Sequence, residues 1–182
     1  MIPVVPVVKP YGHSLLTKLA PHLTPTAYVQ HCRWMEQALV WARRAGREGD
    51  VPVGAVVVSS SGQVLGEAGN RKHQDQDPTA HAEVLALRQA SRTLGTWHLA
   101  HCTLYVTLEP CILCTGAILQ ARLGLLVYGA WDQKTGAIHS VLNLPASPGS
   151  NHPLLTIAGI QADQCGALLQ NWFAQKRSAP AS

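Results

Sequence analysis

The chain has 182 residues, 14 Lys+Arg against 10 Asp+Glu for a formal charge of +4, and 47% hydrophobic residues. That is the length of one ordinary domain with enough apolar residues for a core, and no stretch approaches the about 20 apolar residues of a membrane span, so a soluble protein is expected. The mildly basic balance, with a sequence pI near 8.9, assists a polyanionic partner without demanding one. Five cysteines are an odd number: two form a Cys-x-x-Cys, while Cys32, Cys102 and Cys165 lie in apolar surroundings, which reads as small buried thiols in a reducing cytosol.

Residues 1–23 carry Pro3, Pro6, Pro10 and Pro21. Their valines are too interrupted for the apolar core of a signal peptide, and no basic lead precedes them, so a flexible extension is expected. Thr24-Pro25 forms a cap and first helical position. Tyr28, Cys32, Met35, Leu39 and Ala42 then recur at helical spacing toward Gly46. Val53 to Ser59 is a continuous β-branched run, expected to be a strand buried on both faces, and Ser60-Ser61-Gly62 turns it into a second strand from Gln63 to Gly69. A polar loop from Asn70 leads to Asp77-Pro78, which reads as the start of a helix containing Ala82, Leu85, Ala86 and Leu87. Thr103 to Leu108 is a strand, Glu109-Pro110 opens a helix from Cys111 to about Ala121, and Gly124 to Tyr128 is the next strand. Strand, helix, strand at this length implies parallel neighbours and a right-handed crossover. A turn at 132–136, a loop over 139–153, a strand from Leu154 to Ile160 and a helix capped by Asp163 complete the chain, with Lys176 and Arg177 at the helix end and a short tail over 178–182. The expected architecture is α/β, a mixed sheet of about five strands with helices on both faces, and the domain covers 24–177.

The chemistry lies in His81-Ala82-Glu83 and Pro110-Cys111-Ile112-Leu113-Cys114. One histidine and two cysteines are three ligands, one short of a closed structural zinc site. The open position holds water, whose pKa zinc lowers toward neutrality, and Glu83 is the carboxylate placed to move its protons. Residues two apart do not share a helix face, so His81 and Glu83 flank one site only if the helix points its first turn at the metal. Two helix starts converging on one zinc are therefore expected, and a helix start also favours ionised thiols at Cys111 and Cys114.

Cys-x-x-Cys after a strand is also the place of a thioredoxin-like redox pair. Such a pair has no use for His81 and Glu83 at a second helix start. A purely structural zinc site leaves Glu83 without a role, and Cys102, the conceivable fourth ligand, lies at the far end of its strand. His13, His22, His31, His73, His98, His101, His139 and His152 read as ordinary core or surface histidines.

The pattern H-x-E…P-C-x-x-C is that of the zinc nucleobase deaminases. The likeness extends through Val51 to Val56, Asn70-Arg71, Asp77 to Glu83, Thr103 to Cys111 and Asp132 to Ala137. From about Thr26 to Arg177 the chain resembles the bacterial tRNA-specific adenosine deaminases. That resemblance implies the three-layer α/β/α cytidine-deaminase-like fold, a cytoplasmic homodimer with one Zn2+ per subunit, and conversion of adenosine to inosine at the first anticodon position of an arginine tRNA. By position, His81, Cys111 and Cys114 bind zinc, the activated water attacks the amino-bearing carbon with Glu83 as proton shuttle, and Asn70 contacts the purine. A base in a duplex is unreachable, so the partner is expected to be the anticodon loop. Arg71, Lys72, Lys134, Lys176 and Arg177 are the candidate phosphate contacts. Trp131 stands where relatives often carry a charge, and it either stacks on a base or packs on a dimer partner. The alternatives are a deaminase of a free base or nucleoside, such as guanine or cytosine, and a non-catalytic zinc-stabilised RNA-binding module.

Overall fold

The computed structural model describes residues 23–178. The expected N-terminal extension, apart from Leu23, and residues 179–182 of the tail lie outside the described residues. The elements are α1 (Pro25–Arg47), β1 (Gly54–Ser59), β2 (Val64–Gly69), α2 (Lys72–Asp75), α3 (Ala82–Leu94), β3 (Cys102–Leu108), α4 (Ile112–Gln120), β4 (Leu125–Ala130), β5 (Leu155–Ala158) and α5 (Ala162–Ser178).

The five strands form one sheet in the order β2-β1-β3-β4-β5. β1 is antiparallel to both β2 and β3, and β3, β4 and β5 run parallel. Successive strand residues face opposite layers. Ala55, Val57, Leu104, Val106, Leu126 and Tyr128 pack with Ala82, Ala86, Leu87 and Ala90 of α3 and Ile118 of α4. Val56, Val58, Tyr105 and Val127 pack with Met35, Ala38 and Leu39 of α1 and Cys165 of α5. Helices thus cover both faces, which is why β1 reads as an unbroken apolar run, and each fully buried Leu or Ile contributes about 1.5–3 kcal/mol.

Backbone contact sets the spacing of α1 and β1. A Cβ at Gly54 would stand 2.0 Å from the Ala38 carbonyl oxygen, so only glycine lets the strand enter beneath the helix. At the β2 edge the Gln89 side-chain oxygen accepts from Glu67 N–H at 3.1 Å and the Thr93 hydroxyl donates to the Leu65 carbonyl at 2.9 Å. Two α3 side chains thereby occupy backbone groups that a foreign strand would otherwise pair with.

Three boundaries differ from the sequence reading. Asp77-Pro78 does not start a helix. Ala80 N–H donates to the Asp77 carbonyl at 3.1 Å, and the Asp77 carboxylate accepts from Thr79 N–H and hydroxyl, both at 2.7 Å. Proline here sits inside a turn, and α3 begins four residues later. The polar loop after Asn70 contains the short helix α2, held by the buried Asp50 carboxylate, which accepts from His73 N–H at 3.1 Å and Gln74 N–H at 3.4 Å. Asp163 is the second residue of α5 rather than its cap.

Candidate active site

Two helix starts meet. His81 is the N-cap of α3, with φ −78° and ψ 147°, and Cys111 is the N-cap of α4, with φ −76° and ψ −179°. Because His81 is extended and Glu83 lies in the first turn, both reach one place although they are only two residues apart. Cys114 follows in the first turn of α4. His81 Nδ1 lies 3.8 Å from Cys111 Sγ and 3.4 Å from Cys114 Sγ, and the sulfurs are 3.7 Å apart. Ligands on a tetrahedral ion with bonds of about 2.0–2.3 Å stand about 3.6–3.8 Å from one another. The nitrogen and two sulfurs therefore fit a tetrahedral, thiophilic divalent ion with one coordination position not supplied by the chain. Cys102 opens β3 at the opposite end and takes no part in this cluster.

The two thiols differ sharply. A hydrogen bond from Cys114, supported by His81, holds Cys111 down at about 4, so it is a thiolate at neutral pH. That same bond, with burial, pushes Cys114 up. The pair shares one proton, which a cation would displace. The Cys111 hydrogen bond raises His81. Glu83 is only 4% exposed, and burial raises its carboxyl above the usual range. It makes no ion pair among the described residues.

His81, Glu83 and Cys111 open on a cleft of about 150 Å³, lined also by Asn70, Lys72, Leu108, Asp132 and Thr135, while Cys114 is fully buried. Asn70 is positioned from both sides. Its side-chain oxygen accepts from Ala82 N–H at 2.9 Å, capping α3, and its own N–H donates to the Val53 carbonyl at 3.0 Å. With the oxygen committed, the amide presents a donor.

Glu109, 1% exposed, belongs to the same wall. Its carboxylate accepts from the N–H groups of Asp132 at 3.1 Å, Ile138 at 3.2 Å, His139 at 2.7 Å and Ser140 at 2.9 Å, and from the Ser140 hydroxyl. Asp132 accepts in turn from Lys134 N–H at 2.8 Å and Thr135 N–H at 3.1 Å. Glu109, Asp132 and Thr135 were not singled out as site residues from the sequence. The available signal was an acidic residue directly before Pro-Cys in an apolar strand-to-helix join.

The basic candidates divide. Lys72 lines the cleft. Arg71 pairs with Asp75 at 2.7 Å and faces a neighbouring pocket bounded by Trp41 and Glu48. Lys134 is exposed in the Asp132 turn. Lys176 and Arg177 are outside the cleft, but the Trp172 indole donates to the Gly46 carbonyl at 3.1 Å, bringing the last turns of α5 beside the segment that leads to Val51 and Val53 on the cleft rim. Trp131 packs within its own chain, edge-on to Tyr128 at 6.2 Å and against Gly159. His31, His139 and His152 bond Tyr105, Tyr128 and the Leu123 carbonyl, outside the ligand cluster.

The family model described as MafB19-like deaminase matches residues 29–177. A tRNA-specific adenosine deaminase of Haemophilus influenzae is 42% identical over 145 residues, 80% of this chain and 84% of that protein. A solved structure from biochemical and structural studies of A-to-I editing by tRNA:A34 deaminases at the wobble position of transfer RNA is 42% identical, with a TM-score of 0.73, and covers 75% of this chain and 99% of that one. A guanine deaminase from Nitrosomonas europaea, 24% identical with a TM-score of 0.66 over 84% of this chain and 94% of that one, shares the fold. Identity sustained over four-fifths of the chain, on a cytidine-deaminase-like sheet that brings His81, Glu83 and the two cysteines together, makes this chain a member of the tRNA-specific adenosine deaminase family.

Proposed function

We propose that this chain deaminates adenosine to inosine at the first, wobble position of a tRNA anticodon, with an arginine tRNA as acceptor, as a cytoplasmic enzyme carrying one Zn2+ per subunit. The observation that carries the reading is the convergence of His81, Cys111 and Cys114 beside a cleft lined by His81, Cys111 and the buried Glu83 carboxylate. Zinc held by those three residues would supply the Lewis acidity that brings water's pKa toward neutrality. Glu83 moves the protons: it takes one from the attacking water for a ring nitrogen and another for the amino group, which leaves as ammonia. The cleft, at about 150 Å³, is smaller than the about 300–1,000 Å³ of drug-sized pockets and suits one splayed base.

Inosine formation, read by mass spectrometry on an arginine-tRNA anticodon stem-loop beside free adenosine, guanine and cytosine, separates this reading from a free-base deaminase. A zinc-replete protein that releases no ammonia from any of them is a binding module instead. Glu83→Ala is expected to cost at least about a hundredfold in kcat, the usual contribution of a general acid-base, with zinc content unchanged. Near-full turnover in a zinc-loaded Glu83→Ala protein would remove the assignment.

Asn70 makes a sharper case. Asn70→Asp keeps the oxygen that caps α3 but turns the donor into an acceptor facing the base. Binding of the stem-loop is expected to weaken about tenfold or more, as an unmatched buried acceptor costs about 1–3 kcal/mol, while the melting temperature stays close to wild type. Unchanged affinity in that variant would exclude the contact.

Lys72, Lys134, Lys176 and Arg177 are the proposed phosphate contacts, with Arg71 available once released from Asp75. Lys176→Glu with Arg177→Glu is expected to lower stem-loop affinity and reduce the magnitude of its log-log salt slope by about 1–2. A slope identical to wild type takes both residues off the RNA.

A homodimer is proposed from the exposed apolar residues Ile112 (58%), Leu113 (41%), Val141 (51%) and Leu142 (41%). The bond from Ala137 N–H to the Pro110 carbonyl ties their two segments together, and such a patch marks an interaction surface. Sedimentation equilibrium is expected to give twice the chain mass at micromolar concentration, and Ile112→Lys with Val141→Lys half of it. A monomeric wild-type protein would contradict the proposal.

A further inference from the structure

The segment 132–135 forms one wall of the cleft and belongs to no helix or strand. Glu109 fixes the backbone at Asp132 and again at 138–140. A second support lies beneath. Tyr128, fully buried in β4, places its hydroxyl 2.7 Å from His139 Nδ1, which holds the chain four residues beyond Thr135. Trp131, next to Asp132, meets the same Tyr128 edge-on, with ring centroids 6.2 Å apart and planes at 85°. Its outer ring edge lies over Gly159, which has φ +83° and where a Cβ would stand 2.8 Å from Trp131 Cη2. The indole is therefore seated between a core tyrosine and a backbone that has no side chain, with room for nothing larger.

We propose that Trp131 is a positioning residue for the substrate: seated on Gly159 and Tyr128, it holds the Asp132–Thr135 wall at the place where it closes on the bound nucleotide. This rests on the deaminase reading of the cleft. Asp132 is covalently adjacent to the seat, so a displacement of the indole passes directly to the wall. His81 is held at the start of α3 and Asn70 between that start and the Val53 carbonyl, neither of them through the Trp131 seat. The ligand cluster is untouched as well, because Cys111 and Cys114 are carried by α4. Loss of the seat accordingly weakens substrate binding and leaves metal binding and the chemical step in place.

The test uses the zinc-loaded full chain with Trp131→Ala, Trp131→Phe, Gly159→Ala and the double variant Trp131→Ala/Gly159→Ala. In Trp131→Ala, KM for the anticodon stem-loop is expected to rise about tenfold, with kcat within about twofold and zinc content unchanged; this corresponds to about 1.4 kcal/mol of binding. Trp131→Phe is expected to restore most of it. Gly159→Ala attacks the same contact from the other side and should raise KM similarly, but it should add little once Trp131 is already Ala. Hydrogen exchange of the amides of residues 132–140, measured without RNA, is expected to speed up in Trp131→Ala and Gly159→Ala and to stay near wild type in Trp131→Phe. A fall in kcat at constant KM, additive effects in the double variant, or a lowered melting temperature with neither KM nor local exchange altered would each overturn the proposal. If wild-type protein does not deaminate the stem-loop, the functional reading fails on its own. The exchange measurement then still reports whether Trp131 holds the wall, and unchanged exchange overturns that too.

Discussion

The Glu109 carboxylate is the constraint on which the site depends. It is buried, lies between β3 and the start of α4, and faces no cation among the described residues; four backbone N–H groups and one hydroxyl converge on it. A buried carboxylate without such donors would be strongly destabilising. The donors all come from 132–140, so satisfying the charge and folding that segment against the cysteine-bearing join are one event. Sequence follows from this. A Cβ at Gly136 would stand 2.6 Å from the Glu109 carboxylate, and the Ala137 N–H to Pro110 carbonyl bond at 2.9 Å seals the join. One carboxylate thus anchors the cleft wall on either side of the 133–137 stretch, at Asp132 and at 138–140, to the join that leads into Cys111.

The helix starts show a similar exchange of local stability for chemistry. Ser, Thr, Asp or Asn at an N-cap is worth about 1 kcal/mol over residues that cannot cap. α3 and α4 have His81 and Cys111 there instead, and neither makes a side-chain capping bond. The side chains that could have served the helices face the cluster, where the positive ends of both helices favour thiolate and carboxylate. α3 recovers a cap from outside, since Asn70 supplies its oxygen to Ala82 N–H. A residue that stabilises the helix and also faces the cleft is held with its amide orientation fixed, which is what recognition of one base edge needs.

What was legible from sequence had local causes. The apolar run from Val53, the glycine-bearing turn and the 3.6-residue spacing in α1 gave strands and helices within a few residues of their positions, and H-x-E with C-x-x-C marked the residues that the fold gathers into one cluster. The requirement that His81 and Glu83 share a site while two apart points to a helix start, and the structure brings His81, Cys111 and Cys114 together where α3 and α4 begin. Asp77-Pro78 misled because proline at a first helical position and proline inside a turn look alike locally. The Asp77 side chain, bonded to Thr79, settles the matter in favour of the turn. α2 was missed because four residues give little local signal, and beside the local Arg71–Asp75 pair its first N–H groups rely on Asp50, a residue more than 20 positions away.

The least legible features are pairings of tryptophan with glycine across long separations. The Trp172 indole donates to the Gly46 carbonyl, and its ring carbon lies 3.3 Å from where a Gly46 Cβ would be. Trp131 lies over Gly159 without such a bond, its Cη2 2.8 Å from where a Cβ would be. A Cβ would collide with the ring at Gly159 and crowd it at Gly46, and in each pair the ring fills the space the glycine leaves, so either position read alone looks unremarkable. Sequence reading offered Trp131 a base or a dimer partner because an aromatic in a polar turn has no local place to pack. The left-handed turn at Gly159, directly after β5, provides one, and it exists only once the parallel β4–β5 pairing has formed. Part of the cleft geometry is thus decided at the edge of the sheet, away from the ligands themselves.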